Sequence, residues 1–294
     1  MHSQAEKAET FRHLHNRPRA FIIPNPWDRG TALILAHRGF EALATTSAGF
    51  AYSLGRPDYA VQREEMLAHL GTITSATDLP VSADLENGFG DTPECVRTTI
   101  ELAASAGVVG GSIEDATGDP HNPIYDMQFA AERIAAASDS ARRLPFPFMV
   151  TARAENYLLG RPDLKDTITR LQAYQNAGAD VLYAPGLTNI GDIRTVVQSV
   201  DRPLNVLVGI KGMTVTLVEL AEIGVKRISL GSAMCRVALG AFFEAIREMQ
   251  ERGSFHFAEA AVGYADLNRF LSSGPTKSFV SPDASTQNWD LPPA

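Results

Sequence analysis

The chain has 294 residues, of which 45% are hydrophobic and 20% charged, with a net charge of -8. That is the make-up of a globular protein, and the length suits one α/β barrel of ~250 residues with an extension. No block of Lys and Arg suggests a nucleic-acid footprint, and no apolar run of about 18 residues suggests a membrane span, so neither partner is expected.

The first residues, MHSQAEKAETFRHLHNRPRA, are polar and lack the apolar centre of a signal peptide. Beyond them, short apolar or β-branched runs recur at residues 20–23, 42–46, 80–84, 110–114, 148–153, 180–184, 204–208 and 227–230. Each reads as a strand. Segments of helical period separate them. Ala32, Leu33, Leu35, Ala36 and Phe40 can share one helix face, and so can Val96, Thr99, Ile100, Ala103 and Ala104. The phrases HRGF, SAGV, NAGADV and EIGVK put a glycine where a helix must end before the next strand. Asp91 or Thr92 can cap the helix that Pro93 and Glu94 begin. Eight β–α units with right-handed crossovers predict a (β/α)8 barrel over residues 1–252; a doubly wound open sheet is the structural alternative. Residues 253–294 read as one or two further helices followed by a polar, Pro-rich tail. Two cysteines, Cys95 and Cys235, are too few for a disulfide framework; they read as inert helix residues of a cytoplasmic protein.

In such a barrel the chemistry sits where strands end at their C-terminal side. Those ends carry Thr45, Thr46 and Ser47; Asp84 and Glu86; Glu114 and Asp115; Arg153 and Glu155; and Asn205. Four carboxylates on adjacent strands 3 and 4 repel one another, and a hard divalent cation relieves that conflict through oxygen ligands. The other reading makes them surface acids that cap helices. Arg153, closing FPFMVTAR, reads either as a clamp for a substrate carboxylate or as an internal salt bridge to Glu155 or Glu114. Two weaker signals lie elsewhere in the chain. Lys211 in VGIKGM suits a Schiff-base aldolase, and the helix start at 231–234 suits a phosphate cradle.

The phrases ALATTSAGFAYSLGRPD, VSADLENGFGDTPE, GGSIEDATGD and TARAEN, in that order, resemble the isocitrate lyase/phosphoenolpyruvate mutase superfamily over roughly residues 21–250. The resemblance implies a (β/α)8 barrel, a homotetramer whose eighth helix is swapped between subunits, and a bound Mg2+, with Mn2+ as a substitute. It implies that the metal is held mainly through Asp84, with Glu86 and Glu114, and also Asp58, supporting it directly or through water. It also implies that Thr46, Ser47 and Ala48 face the substrate carboxylate, that Arg153 binds substrate, and that Asn205 is a further contact. Glu155 joins the substrate-binding set. Lyases of this superfamily carry a Lys-x-Cys-Gly loop after strand 4. Here the loop reads ATGDPHNPIYD, and no lysine occurs between Lys7 and Lys165. The resemblance makes residues 117–125 a lid, here without the usual thiol and with His121 as a candidate proton source; the other reading is a long βα loop with an exposed histidine. Tyr52, Glu155 and His121 are the candidate bases for a retro-aldol step. The expected activity is Mg2+-dependent cleavage of a small 2-oxo acid through an enolate, oxaloacetate decarboxylation being the simplest instance. A phosphonopyruvate or carboxyphosphonoenolpyruvate enzyme, and a 2-oxo acid-binding protein with little turnover, are the alternatives.

Overall fold

Eight strands alternate with helices in the computed structural model, which describes residues 2–272. The strands are β1 (Phe21–Ile23), β2 (Leu43–Ala44), β3 (Val81–Asp84), β4 (Gly110–Glu114), β5 (Met149–Arg153), β6 (Val181–Tyr183), β7 (Leu204–Leu207) and β8 (Arg227–Ser229). All ladders are parallel, and their order is β1-β8-β7-β6-β5-β4-β3-β2. The first strand pairs with the last, so the sheet curls into the expected barrel rather than an open, doubly wound layer. Closure between β1 and β2 rests on single contacts. The Ala44 N–H donates to the Pro24 carbonyl at 3.0 Å. Asn25 adds a clasp: its Nδ2 donates to the Thr45 carbonyl at 2.9 Å, and its Oδ1 accepts from the Leu230 and Gly231 N–H groups at 2.9 and 3.0 Å.

The second strand is shorter than its apolar run. Thr46 leaves the sheet to cap helix α3 (Ser47–Ser53), accepting from the Gly49 N–H at 3.2 Å. A Cβ on Gly49 would lie 2.6 Å from the Thr46 methyl, so the tight cap needs glycine there. Around the barrel run α2 (Arg29–His37), α4 (Arg63–Thr74), α5 (Pro93–Ser105), α6 (Met127–Arg142), α7 (Leu164–Asn176), α8 (Ile190–Ser199), α9 (Leu217–Glu222) and α10 (Ala233–Arg252). The stripe foreseen on α5, Val96, Thr99, Ile100, Ala103 and Ala104, is its buried face. Of its two candidate caps, Thr92 takes the Cys95 N–H at 3.2 Å, while Asp91 accepts the Tyr125 hydroxyl at 2.5 Å. Gly253, at φ +60°, ends α10. Beyond it come a 3-10 turn (His256–Ala260) and α11 (Tyr264–Ser272). The polar tail from residue 273 lies outside the described residues. No described helix is long and apolar enough to cross a membrane.

The N-terminal segment, read above only as polar, forms α1 (Gln4–Asn16). Ser3 and Glu6 make a capping box at its start. Its buried residues Ala8, Phe11, Leu14 and His15 close the N-terminal end of the barrel. Ala8, Phe11 and Leu14 form a separate apolar cluster with Phe21, Ile23, Ala42, Val109, Met149 and Val181. A Cβ on Gly110 would lie 2.9 Å from the Met149 carbonyl oxygen and 3.0 Å from the Phe11 ring, so the plug depends on that glycine.

Truncating Phe11 to Ala should cost about 3–5 kcal/mol in urea unfolding, and Gly110→Ala about 1–3 kcal/mol by overpacking the same place. His15 lies edge-on between the Phe11 and Phe21 rings. Burial, and then Arg227, lower its pKa to about 3. Below an unfolded value of about 6.5 the unfolded chain therefore binds more protons, and stability falls as the pH drops from about 6.5 toward 3. His15→Leu should lessen the fall in melting temperature between pH 7 and pH 4.

Candidate active site

A cavity of about 380 Å³ opens where the strands end at their C-terminal side. It is lined by Thr46, Ser47, Ala48, Asp58, Asp84, Glu114, Arg153, Glu155 and Asn205, so the fold brings together most of the residues singled out from the sequence. At its centre is Arg153, the last residue of β5. Its Nη1 meets Asp84 Oδ1 at 3.1 Å and Glu114 Oε1 at 2.7 Å, and its Nε donates to Glu155 Oε1 at 2.8 Å. The internal salt bridge is therefore real, and it involves three acids. Nη2 has no partner among the described residues, which leaves one donor edge for a ligand. Burial alone would lower the Arg153 pKa; Glu114, Glu155 and Asp84 together hold it well above the ordinary value.

Asp84 is held from the other side by α3. The Ser47 N–H and hydroxyl both donate to Asp84 Oδ2 at 3.0 Å, and the Asp84 N–H donates to Thr45 Oγ1 at 2.9 Å. The Ser47 amide assigned to a substrate carboxylate thus serves a protein carboxylate here. Glu114 is almost wholly buried and accepts the Tyr59 hydroxyl at 2.6 Å. Burial drives its pKa well up, against the pull of Arg153. Asp58 is raised by burial and by Asp84. Arg133, buried in α6, anchors the loop after β3: it donates to the carbonyls of Asn87, Gly90 and Asp91, and to that of Glu114 at 3.0 Å. Asp115 is not a rim acid. The Tyr174 hydroxyl at 2.5 Å and Arg170 at 3.2 Å hold it, and it accepts the Glu155 N–H at 2.8 Å.

Other assignments fall differently. Glu86 is 4% exposed and takes φ +49°, a left-handed backbone that is costly for a residue with a side chain. It does not line the cavity, and its Oε1 is buried without a partner. Burial, then Asp84 and Asp58, push its pKa up to about 8. His121 is exposed at the tip of the 117–125 loop and is not among the cavity residues. That loop folds on itself through an Ala116–Ile124 bridge and a Thr117 N–H to Pro123 carbonyl bond of 3.0 Å. Lys211 is exposed and does not line the cavity. At the 231–234 helix start, the Leu230 and Gly231 N–H groups are spent on Asn25.

Among the described residues, no three His, Cys, Asp or Glu side chains converge closely enough to hold a metal. Asp84, Glu86 and Glu114 are therefore not gathered into one ligand set. The donors remain all oxygen, the partnerless Glu86 Oε1 lies beside Asp84 and Asp58, and Mg2+ commonly takes one or two carboxylates and fills its shell with water. A hydrated hard cation held through Asp84 fits that set; a fully protein-ligated one does not.

Sequence reasoning missed Tyr59, Tyr183, Arg227, Ser229 and Asn25, all of which line the cavity. Arg227 and Ser229 share the inward face of β8 by the two-residue period of a strand, which is a usable signal. Tyr59, at φ +61°, had only its place beside Asp58 to mark it.

The sequence model of the family described as phosphoenolpyruvate phosphomutase matches residues 11–250. A crystal structure of a Burkholderia cenocepacia J2315 protein, assigned only as lyase or mutase, is 58% identical, with a TM-score of 0.91 over 93% of this chain and 99% of that one. An uncharacterized Mycobacterium tuberculosis H37Rv protein is 31% identical over 89% of this chain and 96% of its own. The 2-methylisocitrate lyase of Escherichia coli K12 is 31% identical over 59% of this chain and 60% of its own.

Replacing Arg153 by Met should strand Asp84, Glu114 and Glu155 without their counter-charge. The expected cost is about 3–5 kcal/mol in urea unfolding, together with loss of carboxylate binding in calorimetry.

Proposed function

Because this chain belongs to the phosphoenolpyruvate phosphomutase family within the phosphoenolpyruvate mutase/isocitrate lyase superfamily, we propose that it cleaves a small 2-oxo acid through an enolate, with decarboxylation of oxaloacetate as the simplest case. The observation that carries this reading is the free Nη2 of Arg153 in a cavity whose mouth is acidic. A substrate carboxylate sits against Nη2. Asp84 would hold Mg2+, or Mn2+, with Asp58, Glu86 and Glu114 in support through water. When bound, that cation supplies Lewis-acid stabilisation of the enolate oxygen. Arg153 orients the 2-oxo acid, Ser47 keeps the Asp84 carboxylate in place, and the barrel walls limit water. The enolate carbon takes its proton from solvent, or from His121 when the 117–125 loop covers the mouth. This chain has no loop lysine or thiol to do that work. The same lack supports a second reading, a 2-oxo acid-binding protein with little turnover. A phosphonopyruvate enzyme remains the superfamily alternative for the same cavity.

The assembly we propose is a homotetramer with α10 exchanged between neighbours. Val237, Phe242 and Phe243 on α10 are 73%, 60% and 65% exposed, and Ala233 and Cys235 are its only buried residues. An apolar face of that kind on a soluble chain marks an interface. Phe242→Glu with Phe243→Glu should reduce the particle to a monomer in light scattering after gel filtration. A monomeric unaltered protein would remove the assembly.

The activity is tested with a panel of 2-oxo and 2-hydroxy acids plus Mg2+, read by pyruvate release. Release from oxaloacetate should exceed the free-metal background and fall at least about a hundredfold in Asp84→Ala or in EDTA. Release from phosphonopyruvate alone would favour the C–P reading. Binding without product would favour the binding protein, and activity that survives EDTA but not Lys211→Ala would favour an aldolase.

A further inference from the structure

Two phenols line the cavity, and they differ in where their hydrogens go. Tyr59 gives its hydrogen to Glu114 Oε2 at 2.6 Å. Tyr183, the last residue of β6, is 8% exposed, and no acceptor among the described residues takes its hydrogen. The Arg153 guanidinium lies over its ring, 5.1 Å from the centroid. Arg153, Tyr183, Asn205 and Arg227 are register partners in turn across β5, β6, β7 and β8. The phenol therefore stands beside the guanidinium whose Nη2 is open to a ligand.

Hydrogen-bond polarity decides which way this row points. Arg227 is buried, and a guanidinium has only donors. Its Nε donates to Asn205 Oδ1 at 2.9 Å, and its Nη2 is tied to Thr151 Oγ1 at 3.1 Å. Asn205 must then present its amide nitrogen, which donates to Ser229 Oγ at 2.9 Å. The Ser229 hydroxyl is in turn directed at the Tyr183 oxygen, where it favours the phenolate. Every bond runs toward Tyr183, with a cation at the far end. Because its oxygen already receives a donor, the Tyr183 hydroxyl hydrogen is left for the cavity. Burial raises the Tyr183 pKa to about 12, with Arg153 and Ser229 opposing and Glu155 and Asp84 adding, so the phenol keeps its proton at neutral pH.

This arrangement suits a proton that is given up during a reaction. The donors already aim at the oxygen on which negative charge would develop, so no reorganisation is needed when it does. His121, by contrast, does not line the cavity, and its loop holds neither thiol nor lysine.

We propose that Tyr183 is a catalytic acid that protonates the enolate carbon, and that Ser229, Asn205 and Arg227 are positioning residues that stabilise the phenolate it leaves. The proposal rests on the 2-oxo acid reading and puts a strand residue in place of solvent or His121 as the proton source. In oxaloacetate decarboxylation the bond to the departing carboxylate breaks, carbon dioxide leaves, and the bonding pair becomes the enolate of pyruvate. That pair then forms a C–H bond with the Tyr183 hydroxyl proton, which gives pyruvate and a phenolate. Solvent returns the proton to Tyr183 once pyruvate departs.

The reverse of the protonation step exchanges the methyl hydrogens of pyruvate with solvent, and that exchange is the readout. With pyruvate and Mg2+ in heavy water, followed by proton NMR, the full chain should exchange them well above the free-metal background. Tyr183→Phe keeps a ring against Arg153, so pyruvate affinity in calorimetry should stay within about threefold, while exchange falls at least about a hundredfold. Ser229→Ala should lower exchange about tenfold, and Ser229→Thr, which keeps the hydroxyl, should restore most of it. If Tyr183→Phe does not fold, the Ser229 pair decides by the same readout, and equal exchange in Ser229→Ala and the unaltered protein overturns the proposal. Exchange that survives Tyr183→Phe overturns it, and so does an equal loss in His121→Ala. Pyruvate affinity lost together with exchange in Tyr183→Phe makes the residue structural and overturns it as well. If oxaloacetate is decarboxylated but the unaltered protein exchanges nothing, solvent is the proton source; the catalytic acid falls and the 2-oxo acid reading stands. Neither turnover nor exchange, with pyruvate unbound, removes both.

Discussion

Everything at the open end of this barrel depends on one guanidinium. Arg153 touches Asp84, Glu114 and Glu155 at 3.1, 2.7 and 2.8 Å, and without it three carboxylates at one rim could not all be buried or nearly so. The network is still short of positive charge, since Asp58 and Glu86 stand close enough to Asp84 to raise their pKa values. A site with that imbalance is suited to a cation, and its all-oxygen donors suit a hard one. Arg153 therefore has two tasks: it makes the acids tolerable and leaves Nη2 open for a ligand.

The frame that keeps these groups in place is built from buried hydrogen bonds rather than from the strands alone. Arg133 ties the loop after β3 to the Glu114 carbonyl, and Asp115 ties β4 to the Glu155 amide. Asn25 clasps β2 to the end of β8, where direct pairing between β1 and β2 is thin. Below, α1 closes the barrel with Phe11, and the same end carries His15 close enough to feel the charge of Arg227. Stability and function thus share an axis, from an apolar plug through a cationic layer to an acidic mouth.

The loop after β4 separates this chain from the lyases it resembles. It has neither the lysine nor the thiol of the Lys-x-Cys-Gly pattern, and it folds against itself through Thr117, Pro123 and the Ala116–Ile124 bridge. Chemistry that needs a lysine or thiol in that loop finds neither here. The proposed enolate chemistry asks for neither, because the charges it would use lie on the strands rather than in the loop.

The barrel was legible because its signals are local. Helix and strand periods, and glycines at helix ends, are written within a few residues of each other, and strand ends name the rim without further help. Asp84, Glu114, Arg153 and Glu155 were found that way. The role of α1 was not legible, since its apolar face gains meaning only against Phe21, Val109 and Met149, far along the chain. Nor was the fate of the acids. The sequence placed Asp84, Glu86 and Glu114 at strand ends, but a left-handed turn at Glu86 withdraws it from the cavity, and His121 stays at an exposed tip. Arg227 and Asn205 lie 22 residues apart in the chain, and only the β7–β8 register sets them side by side. By itself the sequence determined the fold and the residue types at the rim, because periodicity and capping act over one or two turns. Which charges meet, and which remain unpaired, was decided by tertiary structure, because Coulomb and hydrogen-bond partners are chosen by distance in space.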